Sequence, residues 1–174
     1  QESRGLGDVY KRQDKQPLSL EQQTLTVQQA IDLAVQHHNS GDLSRAENIY
    51  QQILEADPDQ PQALHLLGVI AHQRGENDQA VGLFEKALSI NPTYAEAHLN
   101  LGVVFNDLGQ FYEAIVNYQK ALVLNPNIVE IYNNLGNAFR DSGQLDEAIA
   151  SYQTAITLKA NYFPTFLNFQ IPLY

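Results

Sequence analysis

Apolar and polar positions along this chain recur with a period of 34 residues. Leu33, Leu67, Leu101 and Leu135 share one column, and a small residue follows each, Ala34, Gly68, Gly102 or Gly136. The second half of each unit repeats Ala46, Ala80, Ala114 and Ala148, then an aromatic (Tyr50, Phe84, Tyr118, Tyr152), then Ile53, Ala87, Ala121 and Ala155. Between the halves stands a glycine column, Gly41, Gly75, Gly109 and Gly143, and Pro58, Pro92 and Pro126 close the first three units. Apolar residues at helical spacing, interrupted by Gly and closed by Pro, predict two helices per unit. The units run over 27–60, 61–94, 95–128 and 129–162, after a lead-in at 16–26.

Each column has a physical reason. The glycine column ends the first helix, because Gly takes the left-handed conformation that satisfies the final carbonyls. The proline column ends the second, since the residue before Pro is pushed out of the α region. Asp59 with Gln62, Thr93 with Glu96 and Asn127 with Glu130 place a capping oxygen three residues before Glu or Gln, which predicts helix starts there. The small residue after each Leu lets the paired helix approach, and the aromatic fills the gap that remains. One helix pair cannot bury its own apolar face, so units must stack, about three being the minimum. The fourth unit carries Ala160 where a proline is expected. A fifth is expected to begin at 163–174, capped by Asn161, with Phe166, Leu167, Asn168 and Phe169 as its helix start and Pro172 cutting it off before Tyr174.

This pattern resembles the tetratricopeptide-repeat family. The resemblance implies an all-α solenoid, a right-handed superhelix of antiparallel helix pairs, and a role in binding protein or peptide segments rather than in catalysis.

Composition narrows the partners. The formal net charge of −10 leaves no cluster of Lys and Arg for a phosphate backbone, so no nucleic-acid partner is expected, nor an anionic membrane surface. The chain has no Cys, which excludes a disulfide framework and a thiolate zinc site. No apolar run reaches the roughly 20 residues of a membrane span, and a cytoplasmic location is expected.

Candidate chemistry is thin. His37 and His38 are adjacent and point about 100° apart on a helix; His65 and His72 share a face but lack a third ligand. His98 occupies a column held elsewhere by Ala30, Leu64 and Tyr132 and reads as a packing residue. Ser19, Ser40, Ser44, Ser89, Ser142 and Ser151 fall in caps, turns or solvent faces without a nucleophile elbow. Asp146 with Glu147 opens a helix, where negative charge is favourable. No catalytic residue, metal site or cofactor is expected.

Polar residues without a core duty stand on the first helix of each unit, the expected inner wall. Asn100 and Asn134 precede the Leu-Gly pairs, with Asn168 in the same column. Toward the helix ends come His38, His72, Asn106 and Arg140, then Asn39, Gln73, Asp107 and Asp141. Side-chain amides both donate and accept, which suits the backbone of an extended peptide. A groove without clustered Lys does not suit a C-terminal carboxylate.

The runs AVQHHNSGDLSRAENIYQQIL, ALHLLGVIAHQRG and LDEAIASYQTAI resemble bacterial repeat arrays that precede glycosyltransferases of the O-linked N-acetylglucosamine transferase type. That resemblance implies an asparagine column holding the acceptor polypeptide, matched here by Asn100 and Asn134 but not by Asp32 and Leu66. It adds an alternative: a substrate-recognition arm with further repeats or a catalytic domain beyond Tyr174. Ser3 to Gln13, reading SRGLGDVYKRQ, matches the translation of a transposase sequencing adapter residue for residue. Residues 1–15 are therefore set outside the fold as non-native sequence, with the true N-terminus expected to be missing. Their removal leaves a net charge of −11.

Overall fold

The computed structural model describes residues 25–167, with side chains from 25 through 160. They form eight helices: α1 (Val27–Asn39), α2 (Leu43–Ala56), α3 (Pro61–Gln73), α4 (Asn77–Ile90), α5 (Ala95–Asp107), α6 (Phe111–Leu124), α7 (Val129–Asp141) and α8 (Leu145–Leu167). Among the described residues there is no strand, in agreement with the all-α class expected. The chain divides after Ile90 into two compact units, α1 to α4 and α5 to α8. In each unit, helices pair as the period predicts, α1 with α2 and α3 with α4, then α5 with α6 and α7 with α8. The second helix of each first pair also packs on the next helix, α2 on α3 and α6 on α7.

The glycine column behaves as expected. Gly41, Gly75, Gly109 and Gly143 have φ between 73° and 83°, a region that L side chains rarely adopt. At the end of α1 this lets Gly41 N donate to His38 O and Asp42 N to His37 O, at 3.0 and 2.9 Å, so carbonyls of the last turn are satisfied. The proline column does so too: Asp57 and Asn125, each before a Pro, leave the helix at φ −137° and −135°.

Unit four supplies the internal control. Ala160 stands where the proline would, and α8 continues without interruption to Leu167. Asn161 therefore sits inside α8 and does not cap a new helix, which corrects that expectation. The side chains of Phe166 and Leu167, and all of Asn168, Phe169, Pro172 and Tyr174, lie outside the described residues, as do Ser19 and the adapter-like residues 1–15.

The predicted helix starts need a second correction. The N-caps of α3, α5 and α7 are Gln60, Tyr94 and Ile128, each one residue after the expected Asp59, Thr93 and Asn127. The oxygen before the proline competes for the turn: Asp57 Oδ1 accepts from Asp59 N, and Asn91 Oδ1 accepts from both the backbone and the hydroxyl of Thr93. An Asx turn around the Asp-Pro or Asn-Pro step thus takes the place of the capping box. A reciprocal capping box occurs at the start of α1, between Thr26 and Gln29.

The packing columns meet as their sizes require. Ideal Cβ atoms added to Gly68, Gly102 and Gly136 would lie 2.8, 2.6 and 2.6 Å from Cε1 of Phe84, Tyr118 and Tyr152. The ring of each second helix therefore lies directly on the glycine of the first. Tyr50, Phe84 and Tyr118 are almost completely buried, each contributing roughly 1.5–3 kcal/mol by area. Ala46, Ala80, Ala114, Ala87 and Ala121 are fully buried beside them. In the second unit the core of Ile115, Tyr118, Ile131, Leu135 and Ala138 holds α6 against α7.

Candidate functional site

In the second unit this core fixes which faces of α5 and α7 remain outside it. Along α7, Ile131, Leu135 and Ala138 turn inward; at 100° per residue Glu130, Asn134, Asn137 and Asp141 form an arc beside them, with Asn133 and Arg140 further round. On α5 the same columns hold Glu96, Leu99, Asn100, Val103, Asn106 and Asp107, of which Leu99 and Val103 pack against the core. Helices α5 and α7 touch, which places the two arcs side by side.

Six of the expected site residues lie on these arcs. Asn100 and Asn134 are half-buried one repeat apart, and the Asn134 side chain has no hydrogen-bond partner among the described residues. Asn106 is half-buried, with its Oδ1 covered and without a partner. Asp107 is exposed at the end of α5. Arg140 donates from Nε to Asp141 Oδ1 at 2.8 Å, and that bond raises the guanidinium pKa further above its usual value. The arc therefore carries four carboxylates, Glu96, Asp107, Glu130 and Asp141, and one arginine, which pairs with Asp141. Tyr118 reports the same field from below: burial first, then Asp107 and Glu130, push its phenol well above its usual pKa of 10.0.

His72 belongs to the first unit, half-buried near the end of α3. Its neighbour Gln73 meets His38 of α1 through Nε2···Oε1 at 3.1 Å, so in that unit two polar columns of successive first helices engage each other. Arg74 meets Glu47 at 2.7 Å nearby. Asn168 lies outside the described residues.

The serines and buried histidines also have contacts within the fold. Ser40, Ser89, Ser142 and Ser151 donate to backbone carbonyls three or four residues earlier. His65 is buried with its ring 5.6 Å from that of Phe84. His98 is buried too, Nδ1 facing Asn117 Oδ1 and Nε2 facing Pro92 O, both at 3.1 Å. Asn117 is held in turn by Nδ2 donating to Glu113 O at 2.9 Å. No group of three metal-ligating side chains occurs among the described residues, and no described helix is long and apolar enough to cross a membrane.

Two side-chain hydrogen bonds between the helices of a pair are also absent from the sequence expectations. One is the His98–Asn117 pair; the other joins Tyr152 Oη to Asn137 Oδ1 at 2.7 Å. Both leave a trace in the columns. Asn117 and Ser151 share a column with Ile49 and Leu83, and Asn137 interrupts Val35, Val69 and Val103.

Comparison with known proteins agrees with this architecture. Models described as TPR repeat match residues 70–109 and 102–139, and models described as tetratricopeptide repeat match 49–82 and 129–162. None of the curated proteins matches the sequence. Among solved structures, a crystal structure of MamA is similar at TM-score 0.73 and 23% identity, over 80% of this chain and 81% of that one. The structures labelled MamA AMB-1 and MamA MSR-1 reach TM-scores of 0.66 and 0.67 at 27% and 26% identity. The first pairing covers 78% of this chain and 74% of that one, and the second covers 79% of each. Neither the repeat models nor these structures support the glycosyltransferase association. With eight helices paired in 34-residue register and repeat models spanning 49–162, this chain is an all-α solenoid that belongs to the tetratricopeptide-repeat family.

Proposed function

We propose that this chain is a non-catalytic protein-binding module that holds extended peptide segments on the first-helix faces of its repeats. The observation that carries this reading is the polar arc of α5 and α7. Asn100, Asn106, Asp107, Asn134, Arg140 and Asp141 are polar residues outside the apolar core of this unit, on two neighbouring first helices. Amides at 34-residue intervals suit a peptide backbone, whose carbonyl and N–H groups recur along an extended strand. His72 and Gln73 hold the corresponding columns of the first unit. The repeat family supports binding of a protein or peptide, and the acidic rim of the arc favours neutral or cationic segments over acidic ones.

The test is fluorescence anisotropy with capped, fluorescein-labelled peptides of mixed uncharged sequence. Asn100→Ala combined with Asn134→Ala is expected to weaken binding about tenfold, two neutral hydrogen bonds being worth roughly 1–3 kcal/mol together. Melting by circular dichroism is expected to stay unchanged. Unaltered affinity in the double variant rejects the site.

A further inference from the structure

We infer that Tyr152 is a positioning residue that turns the Asn137 amide outward, making Asn137 a donor site for a peptide carbonyl. This rests on the peptide-binding reading above and names a residue and a ligand group that reading lacks. The chain of causes starts at Gly136. With no Cβ there, the Tyr152 ring lies against the α7 backbone, 2.6 Å from where the Cβ would be. The ring so seated brings its hydroxyl to the next residue, and Tyr152 Oη donates to Asn137 Oδ1 at 2.7 Å.

An asparagine amide has one acceptor end and one donor end. Here the acceptor end is occupied from below, so Nδ2 is the end that remains for the arc. It has no hydrogen-bond partner among the described residues, and Asn137 is only half-buried. Asn134 lies one turn away on the same arc, Arg140 and Asp141 one turn beyond. Arg140 is engaged by Asp141 at 2.8 Å, so it is not available to a carboxylate, and Glu130 two turns away on the same helix leaves the face acidic. A neutral carbonyl is the acceptor that fits two N–H donors in an acidic surround.

The chain's own columns supply the substitutes for the test. Val35, Val69 and Val103 occupy the Asn137 column, and Phe84 occupies the Tyr152 column on a glycine. Asn137→Val and Tyr152→Phe are therefore compared with the parent chain, using the same uncharged peptides with amidated and with free carboxyl ends. Asn137→Val is expected to weaken binding about three- to tenfold, and Tyr152→Phe about threefold, with melting unchanged. The double variant is expected to bind no more weakly than Asn137→Val, because Tyr152 acts only through Asn137. The free-acid peptide is expected to bind no better than the amide.

NMR supplies a readout that needs no peptide. The Asn137 side-chain amide resonances should shift in Tyr152→Phe, while those of Asn100 stay in place. Normal peptide binding in both single variants overturns the inference while leaving the Asn100 and Asn134 site intact. Additive losses in the double variant, or stronger binding of the free acid, also overturn it. Absence of binding to the parent chain overturns both.

Discussion

Two glycines in helix interiors should respond to the same substitution with opposite signs. Gly102 lies under Tyr118, where an added Cβ would sit 2.6 Å from Cε1 and 2.7 Å from Cδ1 of a ring that is 1% exposed. Gly82, in α4, has nothing within 4 Å of its added Cβ. Alanine at either site gains about 1 kcal/mol of helix propensity and reduced unfolded-state entropy. At Gly82 nothing opposes that gain, so Gly82→Ala should raise stability by roughly 0.5–1 kcal/mol. At Gly102 the ring must retreat by about an ångström into packed core, and overpacking of that kind costs about 1–3 kcal/mol. Gly102→Ala should therefore be destabilising by up to about 2 kcal/mol, and the difference between the two variants isolates the packing contribution. Ala34 under Tyr50 in unit one shows that a pair can be built with alanine, which limits the expected loss. Urea unfolding followed at the helical signal gives both values. Hydrogen exchange in α5 and α6 checks that the loss is local, since repeats unfold in segments. Combining Gly102→Ala with Tyr118→Leu should cost less than the two changes summed. Equal stabilisation by both alanines would refute the close-approach account of this column.

Tyr50 is fully buried with a hydroxyl that has no partner, so Tyr50→Phe should be neutral or stabilising by up to about 1 kcal/mol at pH 7, measured by thermal unfolding. Burial raises the Tyr50 pKa from 10.0 to about 12, so its contribution is present below pH 10 and is lost as pH climbs toward 12; Tyr50→Phe should flatten that alkaline loss. His98→Leu removes the ring nitrogens that face Asn117 Oδ1 and Pro92 O, leaving at least one buried acceptor without a donor, and should lower stability by about 1–3 kcal/mol. Adding Asn117→Leu should recover much of that in urea titrations, because Leu64 and Leu83 already hold those columns. Ala160→Pro should end α8 near Lys159, visible as loss of exchange protection beyond it; protection persisting to Leu167 would deny the proline column its role.

The period exposes the packing because packing selects on size, and size is written in residue identity. A glycine under a ring, an alanine between helices and a proline after the second helix each admit few substitutes, so their columns are legible in the sequence. Helix starts are less legible: several oxygens compete at Asp-Pro-Asp and Asn-Pro-Thr, and only the backbone path decides that Asp57 and Asn91 take the turn. The polar arc is legible as an absence of core duty, but its pairings are not. Arg140 with Asp141 depends on rotamer, and Tyr152 with Asn137 depends on how closely α8 crosses α7. Asn137 leaves the clearer trace, a polar residue in a column otherwise held by Val35, Val69 and Val103, whereas the Asn117 column, with Ile49, Leu83 and Ser151, is mixed.

Within this one chain the columns separate into two kinds, and the separation bears on mechanism. Small residues under rings vary only between Ala and Gly, at 34, 68, 102 and 136. Arc positions vary in charge and in hydrogen-bonding character: Asp32, Leu66, Asn100 and Asn134 in one column, His38, His72, Asn106 and Arg140 in another. The four repeats thus carry different polar residues in the same columns of one scaffold, while the column under the rings stays small. Asn137 is the exception that joins the two kinds, since its column is apolar in the other repeats and its amide is oriented by a packing-column aromatic. A residue placed there converts a ring whose usual role is to fill space into a support for a binding group. The solenoid core then sets the direction of a hydrogen bond as well as the spacing of its helices.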